Sequence, residues 1–392
     1  MRRSLHQDFL LYTGVGNSER GPANRMSRPL LLLAAILVAV LALVAVRLLL
    51  AGGAAAGRAG PAPSSQEKGT KPIEFGERHL KNVRQLTFGG LNAEAYWSPD
   101  GRRIIFQATR EGLKCDQIFI MNADGSQVKM VSTGRGRTTC AYFLPDGKRF
   151  LYASTHEAAP DCPPSPDRSR GYVWPVYASY DVYAADETGK LRKLTDHPGY
   201  DAEATVNWRT RRIVWTALRD GDLNLYSMDL SGKKVKRLTS RLGYDGGAFF
   251  SPDGKKLVWR AHYPADPAAQ QDYRSKLAQG LVTPMKMELM VAEADGRNPR
   301  QITSFGCASF APSFTHDSRQ IIFASNKQRC DSRNFELYLV NADGSGLEQI
   351  TNSGGFNSFP MFSPDGKKLL FVSDRGARER YEFNIFVADW VP

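Results

Sequence analysis

A block of strands and tight turns recurs six times along this chain, and it constrains the fold more than any other feature. Each block has two strands joined by a turn tetrad, a gap of variable length, a third strand turning near Asp-Gly, and a fourth strand. The tetrads are Ser98-Pro99-Asp100-Gly101, Leu144-Pro145-Asp146-Gly147, Asn207-Trp208-Arg209-Thr210, Ser251-Pro252-Asp253-Gly254, Thr315-His316-Asp317-Ser318 and Ser363-Pro364-Asp365-Gly366. Their second residues are 44 to 64 residues apart, and the shorter spacings match one four-stranded blade.

The repeat predicts an all-β fold, a six-bladed β-propeller of four-stranded blades over residues 79–392. Its strands are rich in β-branched and aromatic residues, and Asp-Gly between such runs indicates hairpins. The sixth block stops after its third strand, while residues 79–87 form a lone strand before the first block. We therefore expect the N-terminal strand to close the last blade, which removes exposed sheet edges.

The N-terminal region predicts one transmembrane helix ahead of the propeller. Leu30 to Val46 are seventeen consecutive apolar residues, and residues 29–50 are long enough to span a bilayer. Basic residues precede this segment, so residues 1–28 should stay in the cytoplasm, with Met1 or Met26 as the start. We favour an uncleaved signal anchor over a signal peptide cleaved at residues 54–56. Residues 51–78 are typical of a flexible linker.

Charge gives little support to nucleic-acid binding. The net charge is +12, but the first 58 residues hold seven basic against two acidic residues. No run of Lys and Arg interleaved with aromatic residues occurs, so we expect no nucleic-acid partner.

The repeat resembles the propeller repeats of TolB, the periplasmic component of the Tol–Pal envelope system. The resemblance rests on the Ser-Pro-Asp-Gly turns, on Ala-Asp-Gly-Ser at residues 123–126 and 342–345, and on Leu-Thr strand ends such as Leu86-Thr87. It implies a monomeric propeller in the periplasm of a bacterium, held to the inner membrane by residues 29–50 or secreted after cleavage. It also implies a protein or peptide partner in the cell envelope. TolB has an α/β domain before its propeller, and residues 51–78 are too few for one.

The loop-bearing face of the propeller is the expected binding face. The turns within the strand pairs one–two and three–four lie together on one face, so the gaps and block junctions lie on the other. The two longest gaps, Ala158–Ser179 and Tyr263–Met285, fall there. Long ordered loops often carry function, although these insertions could also be padding.

Small polar residues stand seven positions before the second residue of every tetrad. They are predicted to surround the mouth of the central channel, unless they only cap turns. They are Asn92, Thr138, Asp201, Asp245, Ser309 and Asn357.

Two carboxylates follow two residues deeper in the same strands, Glu94 and Glu203. They could bind a cation or an amine, or they could pair with arginines such as Arg219 or Arg260. His156 and His262 end second strands near the same mouth, and with the carboxylates they could form a metal site. Some polysaccharide lyases with related repeats use a His-bound metal. Without a tight spacing motif, no cofactor is predicted.

Five cysteines fit an exported domain with disulfides. Cys307 and Cys330 belong to one block and are the best pair. Cys140 is expected to pair with Cys115 or Cys162, which leaves one thiol over.

A binding module is favoured over an enzyme, and no catalytic residue is predicted. The chain contains no Gly-x-Ser-x-Gly elbow of the α/β-hydrolases. Two alternatives remain open. One is a glycan-binding module that uses the pairs Tyr200-Asp201 and Tyr244-Asp245. The other is a metal-dependent lyase or hydrolase centred on the channel.

Overall fold

The computed structural model describes residues 75–110, 112–169 and 171–392. The predicted cytoplasmic segment, the membrane anchor at 29–50 and most of the linker lie outside these ranges. Within the described ranges, no helix is both long and apolar enough to cross a membrane.

Short strands dominate the described residues. In chain order they are β1 (Leu80–Gln85), β2 (Leu91–Trp97), β3 (Arg103–Thr109), β4 (Gln117–Asn122), β5 (Lys129–Met130), β6 (Thr138–Phe143), β7 (Arg149–Ser154), β8 (Trp174–Pro175), β9 (Asp181–Asp186), β10 (Leu191–Lys193), β11 (Asp201–Asn207), β12 (Arg212–Arg219), β13 (Asp222–Asp229), β14 (Lys236–Arg237), β15 (Tyr244–Phe250), β16 (Lys256–His262), β17 (Leu281–Val282), β18 (Glu288–Glu293), β19 (Arg300–Gln301), β20 (Ser309–Phe314), β21 (Gln320–Ser325), β22 (Glu336–Asn341), β23 (Glu348–Gln349), β24 (Asn357–Phe362), β25 (Lys368–Ser373) and β26 (Asn384–Trp390). A helix, α1, spans Pro267–Ala278.

These strands form six antiparallel four-stranded sheets, so the predicted six-bladed propeller is confirmed. Blade 1 is β2-β3-β4-β5 and blade 2 is β6-β7-β9-β10. Blades 3 and 4 are β11-β12-β13-β14 and β15-β16-β18-β19, and blade 5 is β20-β21-β22-β23. Blade 6 is β24-β25-β26 completed by β1, with Leu80 opposite Trp390. The N-terminal strand therefore closes the last blade, as predicted.

The turn tetrads owe their recurrence to a side-chain hydrogen bond. In blade 1, the Ser98 hydroxyl donates to Asp100 Oδ1 (2.6 Å) and accepts from the Arg103 backbone N–H (2.9 Å). Gly101 takes a φ of +67°, which closes the hairpin. Thr315 makes the same bond to Asp317 (2.6 Å), so this degenerate tetrad keeps the chemistry of the turn.

The Leu-Thr strand ends have an equally local cause. The hydroxyl of Thr87 accepts the backbone N–H of Ile385 on the neighbouring third strand (2.9 Å). The hydroxyls of Ser132, Thr195, Thr239, Thr303 and Thr351 accept equivalent N–H groups at 2.8–2.9 Å. Each short fourth strand is thus tied to its blade by a hydroxyl.

The two long gaps form one unit on the loop-bearing face, here called the insertion pair (residues 158–179 and 263–285). Strand β8 from the first gap pairs with β17 from the second. Helix α1 begins after Asp266, whose side chain accepts the Ala269 N–H (2.9 Å). Its buried residues Tyr273 and Leu277 pack against Leu223 of blade 3. Both insertions therefore contribute regular secondary structure to this face.

The structure contains two disulfides among its described residues. Cys307 and Cys330 are bonded as predicted, with Cα atoms 4.8 Å apart. Cys115 is bonded to Cys162, which ties the loop after β3 to the insertion pair (Cα–Cα 6.0 Å). Cys140 is the free thiol. The expectation that Cys140 pairs with Cys115 or Cys162 was therefore wrong.

Candidate functional site

Every innermost strand carries a β-bulge at the same position. In each blade the pairing register shifts between the first and second strands. One residue at each bulge has a φ between +50° and +60°. These residues are Glu94, Cys140, Glu203, Gly247, Ala311 and Phe359. Non-glycine residues seldom adopt this conformation, yet five of these six residues are not glycine. The left-handed bulge is therefore a regular feature of the repeat.

The bulges bring side chains from separate blades together on the propeller axis. Glu94 of blade 1 interacts electrostatically with Glu203 of blade 3 and Arg260 of blade 4, and it bonds the thiol of Cys140 in blade 2. Blades 1 to 3 thus contribute two acids and a thiol to the channel, whereas blades 4 to 6 contribute Gly247, Ala311 and Phe359. The channel has a polar half and an apolar half.

Glu203 is fully engaged by protein groups. Its carboxylate accepts the Gly247 backbone N–H (2.7 Å) and the hydroxyls of Thr216 (2.8 Å) and Tyr244 (3.1 Å). The guanidinium of Arg260 forms an ion pair with it. Side-chain exposures of 10% for Arg260 and 11% for Glu203 make this a buried pair. The expected pairing of Glu203 with Arg260 is confirmed.

Two glycines make room for this ion pair. A Cβ built on Gly247 would lie 2.9 Å from Cζ of Arg260 and would overlap its Nη1. A Cβ on Gly246 would overlap the carboxylate of Glu203 and the hydroxyl of Tyr244. The guanidinium therefore occupies space that a side chain would fill at the bulge of blade 4.

Glu94 has fewer protein partners than Glu203. It is 8% exposed, and burial raises its pKa to about 7, with Glu203 adding to the shift and the Cys140 hydrogen bond opposing it. Burial also raises the pKa of the Cys140 thiol, and both carboxylates add to that shift. The pair is therefore a buried acid beside a neutral thiol, and Cys140 is bonded to Glu94 instead of to another cysteine.

Aromatic rings fill the channel just below the carboxylates. Tyr96 of blade 1 lies 5.4 Å from Tyr142 of blade 2 and 5.5 Å from Phe249 of blade 4, between ring centroids. Tyr142 and Phe249 are 6.0 Å apart. Rings from blades 1, 2 and 4 are therefore in contact across the channel and close it at this level.

The six polar residues predicted around the channel mouth are buried, each at most 1% exposed. Asn92 donates to the Phe383 carbonyl of blade 6 (2.8 Å), and Thr138 donates to the Asp116 carbonyl of blade 1 (3.1 Å). Asn357 donates to Glu336 of blade 5 (2.9 Å), and Ser309 donates to Ser325 within its own blade (3.1 Å). In these contacts the side chains bond protein groups within or between blades.

The two aspartates of this set bind tryptophan side chains. Asp201 accepts the Trp215 indole N–H (2.7 Å) and pairs with Arg219. Asp245 accepts the Trp259 indole N–H (2.6 Å) and the hydroxyl of Tyr263 (2.6 Å). Burial raises the pKa of Asp201 to about 6 and that of Asp245 to about 7.

The two histidines do not join the carboxylates. His156 contacts the ring of Tyr183 in a third strand at a tilt of 57° (4.6 Å between ring centroids) and bonds the Ser154 hydroxyl (2.8 Å). His262 bonds the Lys286 carbonyl (3.3 Å). Burial lowers the pKa of both imidazoles. Within the described ranges, no three His, Cys, Asp or Glu side chains are grouped so that they could hold a metal ion.

An apolar pocket of about 190 Å³ opens beside the channel on the loop-bearing face. The insertion pair forms one wall, and blades 5 and 6 with the Cys307–Cys330 disulfide form the other. Its main apolar lining residues are Tyr172, Trp174, Met285, Phe310, Phe335 and Phe356. Lys286, Asp331 and Arg333 add charges of both signs to the lining.

The pocket and the channel share two aromatic residues. Trp174, which lines the pocket, lies under the guanidinium of Arg260 (5.2 Å) and edge-on to Tyr244 (6.4 Å). Phe310, also in the lining, packs on the channel residue Phe359 (6.1 Å). Trp174 and Phe310 therefore form a wall that the pocket and the channel share.

The family comparison agrees with the repeat. Residues 267–385 match the family model of the TolB β-propeller domain. This match covers less than a third of the chain, and within it the chain is similar to the TolB β-propeller domain. No curated protein sequence matches the chain.

Solved structures show the same fold in proteins of different function. A putative TolB from Agrobacterium tumefaciens is 19% identical over 77% of this chain and 91% of its own, with a TM-score of 0.52. Hydrazine synthase from Kuenenia stuttgartiensis is 15% identical over 75% of this chain and 44% of its own, with a TM-score of 0.53. At such identities the likeness shows the fold alone, so function has to be argued from the site.

The sequence features did not identify the residues that line the pocket. Trp174, Met285 and Phe335 lie in the gaps between the second and third strands of their blocks, where no register position identifies them. The available signal was their apolar character, because large apolar residues within long polar loops need a surface to pack on.

Proposed function

We propose that this chain is a non-catalytic TolB-like propeller, exposed to the periplasm or cell exterior, that binds a segment of a protein partner on its loop-bearing face. The observation that carries this proposal is the apolar pocket between the insertion pair and blades 5 and 6. It is held in shape by paired strands on one side and by the Cys307–Cys330 disulfide on the other.

The size and lining of the pocket favour a protein segment as the occupant. Sites for drug-sized ligands usually measure about 300–1,000 Å³, whereas this pocket has about 190 Å³. A space of that size suits one large apolar side chain anchored by aromatic walls. The pocket is also flanked by charges of both signs, on Lys286, Asp331 and Arg333. These charges complement a polypeptide, in which polar groups of both signs surround the buried apolar side chain.

The proposed location rests on two features. Two disulfides in one domain are typical of proteins that fold in an oxidising compartment. The apolar segment at 29–50 follows basic residues, an arrangement that directs the downstream chain across a membrane. We therefore propose a propeller tethered to the inner membrane of a bacterium or secreted into its periplasm.

The two alternative functions have less support. Asp201 and Asp245 are buried on tryptophan side chains, and the Tyr244 hydroxyl is engaged by Glu203 and Arg260, so these groups are not presented to a sugar. His156 and His262 bond to groups other than Glu94 and Glu203. Neither a stacking platform nor a His/carboxylate site supports the glycan or lyase hypothesis.

Site-specific photocrosslinking of the full-length chain in its host tests the proposal. A photoreactive residue replaces the half-buried pocket residue Met285, and a matched control replaces Val235, which is 47% exposed on the opposite face. We expect Met285 to give one major adduct whose crosslinked peptide, identified by mass spectrometry, contains an apolar residue at the attachment point. Filling the pocket with Ala308→Leu should abolish that adduct.

Three outcomes would count against the proposal. They are equal labelling at Val235, adducts spread over many unrelated proteins, and an adduct with lipid or glycan in place of a peptide.

A further inference from the structure

Glu94 is a buried acid without a cation of its own. Glu203 has the guanidinium of Arg260, two hydroxyls and a backbone N–H, whereas the side-chain hydrogen bond of Glu94 comes from the Cys140 thiol. A thiol is a weak donor. Burying a carboxylate without a strong partner is costly, so the site favours any ligand that brings positive charge to Glu94.

We propose that the bound segment presents a cationic amine to Glu94 inside the channel while its neighbouring apolar side chain fills the pocket. This inference rests on the proposed function, because it names the chemistry by which the same face selects its partner. The amine can be a free α-amino group or a lysine side chain, and both share the same ammonium chemistry.

The joined walls of channel and pocket support this arrangement. Trp174 lies between the pocket and Arg260, and Phe310 joins the pocket to Phe359 in the apolar half of the channel. The aromatic rings of Tyr96, Tyr142 and Phe249 close the channel below. A ligand entering from the loop-bearing face therefore meets Glu94 at a closed end, next to an apolar wall.

The charges around Glu94 favour a cation over an anion. Glu203 and Asp116 act on Glu94 with negative charge, and Arg260 supplies the opposing positive charge. Arg260 is already held by Glu203 and by the Tyr244 hydroxyl (2.7 Å), and its guanidinium fills the space above Gly247. An incoming anion would have to displace Glu203 from Arg260. An ammonium group would instead supply Glu94 with the positive charge that it lacks.

Three tripeptide amides titrated into the full-length chain by calorimetry test this chemistry. The first is Leu-Ala-Ala-amide with a free amino group, the second is its N-acetylated form, and the third is acetyl-Leu-Lys-Ala-amide. We expect acetylation to weaken binding by about tenfold to a hundredfold, the usual effect of losing a hydrogen bond to a charged group. If lysine restores the lost affinity, the side chain is an accepted source of the amine. If it does not, the α-amino group is the one recognised.

The variant Glu94→Gln keeps the shape of the side chain and should remove the difference between the free and the acetylated peptide. The control Asp220→Asn removes one carboxylate at an exposed turn, where the backbone φ of +52° suits asparagine, and should preserve the difference. Equal affinity of all three peptides for the unmodified chain would overturn the amine assignment. A Met285 crosslink to one apolar segment would still stand in that case, so the failure of this inference is distinguishable from that of the proposed function.

Discussion

The space above Gly247 offers a direct test of how the channel is built. Five blades carry a side chain at the bulge in the same left-handed conformation, including Ala311 with φ +51°. The backbone at this position therefore accepts alanine elsewhere in the same molecule. In blade 4 alanine would overlap the guanidinium of Arg260. We predict that Gly247→Ala destabilises the fold chiefly by expelling Arg260.

The expected loss in the free energy of unfolding is the sum of two contributions. A left-handed alanine costs about 1–2 kcal/mol relative to glycine. Removing Arg260 from Glu203 breaks a buried ion pair and leaves a carboxylate unpaired, which costs about 3–5 kcal/mol. Gly247→Ala should therefore lower the free energy of unfolding by about 4–7 kcal/mol. In a background where Glu203→Gln and Arg260→Met have removed the pair, only the backbone cost of about 1–2 kcal/mol should remain.

Equilibrium unfolding in guanidinium chloride, followed by tryptophan fluorescence, measures the difference. Trp215 and Trp259 are fully buried in blades 3 and 4 and report on this region. Ala311→Gly in blade 5 is the matched control, with an expected change within about 1 kcal/mol. The same loss for Gly247→Ala in both backgrounds would show that backbone strain, and not the displacement of Arg260, determines the cost.

Three further predictions concern the buried acid and the cysteines. Since burial raises the pKa of Glu94 from 4.5 to about 7, the folded state binds more protons than the unfolded state between these values. Glu94 should thus lower the free energy of unfolding by up to about 3 kcal/mol as pH rises through this window. Glu94→Gln should remove that part of the pH dependence in urea unfolding, and identical pH profiles would contradict it. Reducing the disulfides, which are separated by 47 and 23 residues, should cost about 4 and about 3 kcal/mol. Maleimide should label only Cys140 in the unreduced protein, and more slowly in the folded chain, where the thiol is half-buried, than after unfolding. Labelling of a second cysteine before reduction would contradict the two disulfides.

The fold was predictable because its signals are local and repeated. The Ser98–Asp100 hydrogen bond and the bond from the Thr87 hydroxyl to Ile385 explain why Ser-Pro-Asp-Gly and Leu-Thr recur in the blocks. The turn bond recurs in blades 1, 4, 5 and 6 and the hydroxyl bond in all six, so the blades can be counted from the motifs. Closure by β1 followed from one missing strand and one extra strand.

The site was only partly predictable because its geometry is not local. Glu94 and Glu203 could be placed in the channel by register. The left-handed bulge that aims them inward has no sequence signature, since its six positions hold five different residue types. The pairing of Cys115 with Cys162 depends on the path of an insertion, and β8 meets β17 across more than a hundred residues. Contacts of this kind are decided by tertiary packing.

The six bulges also explain how a repeat with near-equal blades can hold an asymmetric site. Because the backbone conformation at the bulge is similar in every blade, the residue type at each of the six positions makes the blades differ. Acids and a thiol in blades 1 to 3 make one half polar, while Gly247 admits Arg260 from the second strand of its own blade. The guanidinium of Arg260 therefore pairs with Glu203, and Glu94 has no cation of its own. Substituting single residues at these positions should change what the channel binds without changing the blades that support it. Glu94 is the position where we expect a substitution to change ligand specificity most.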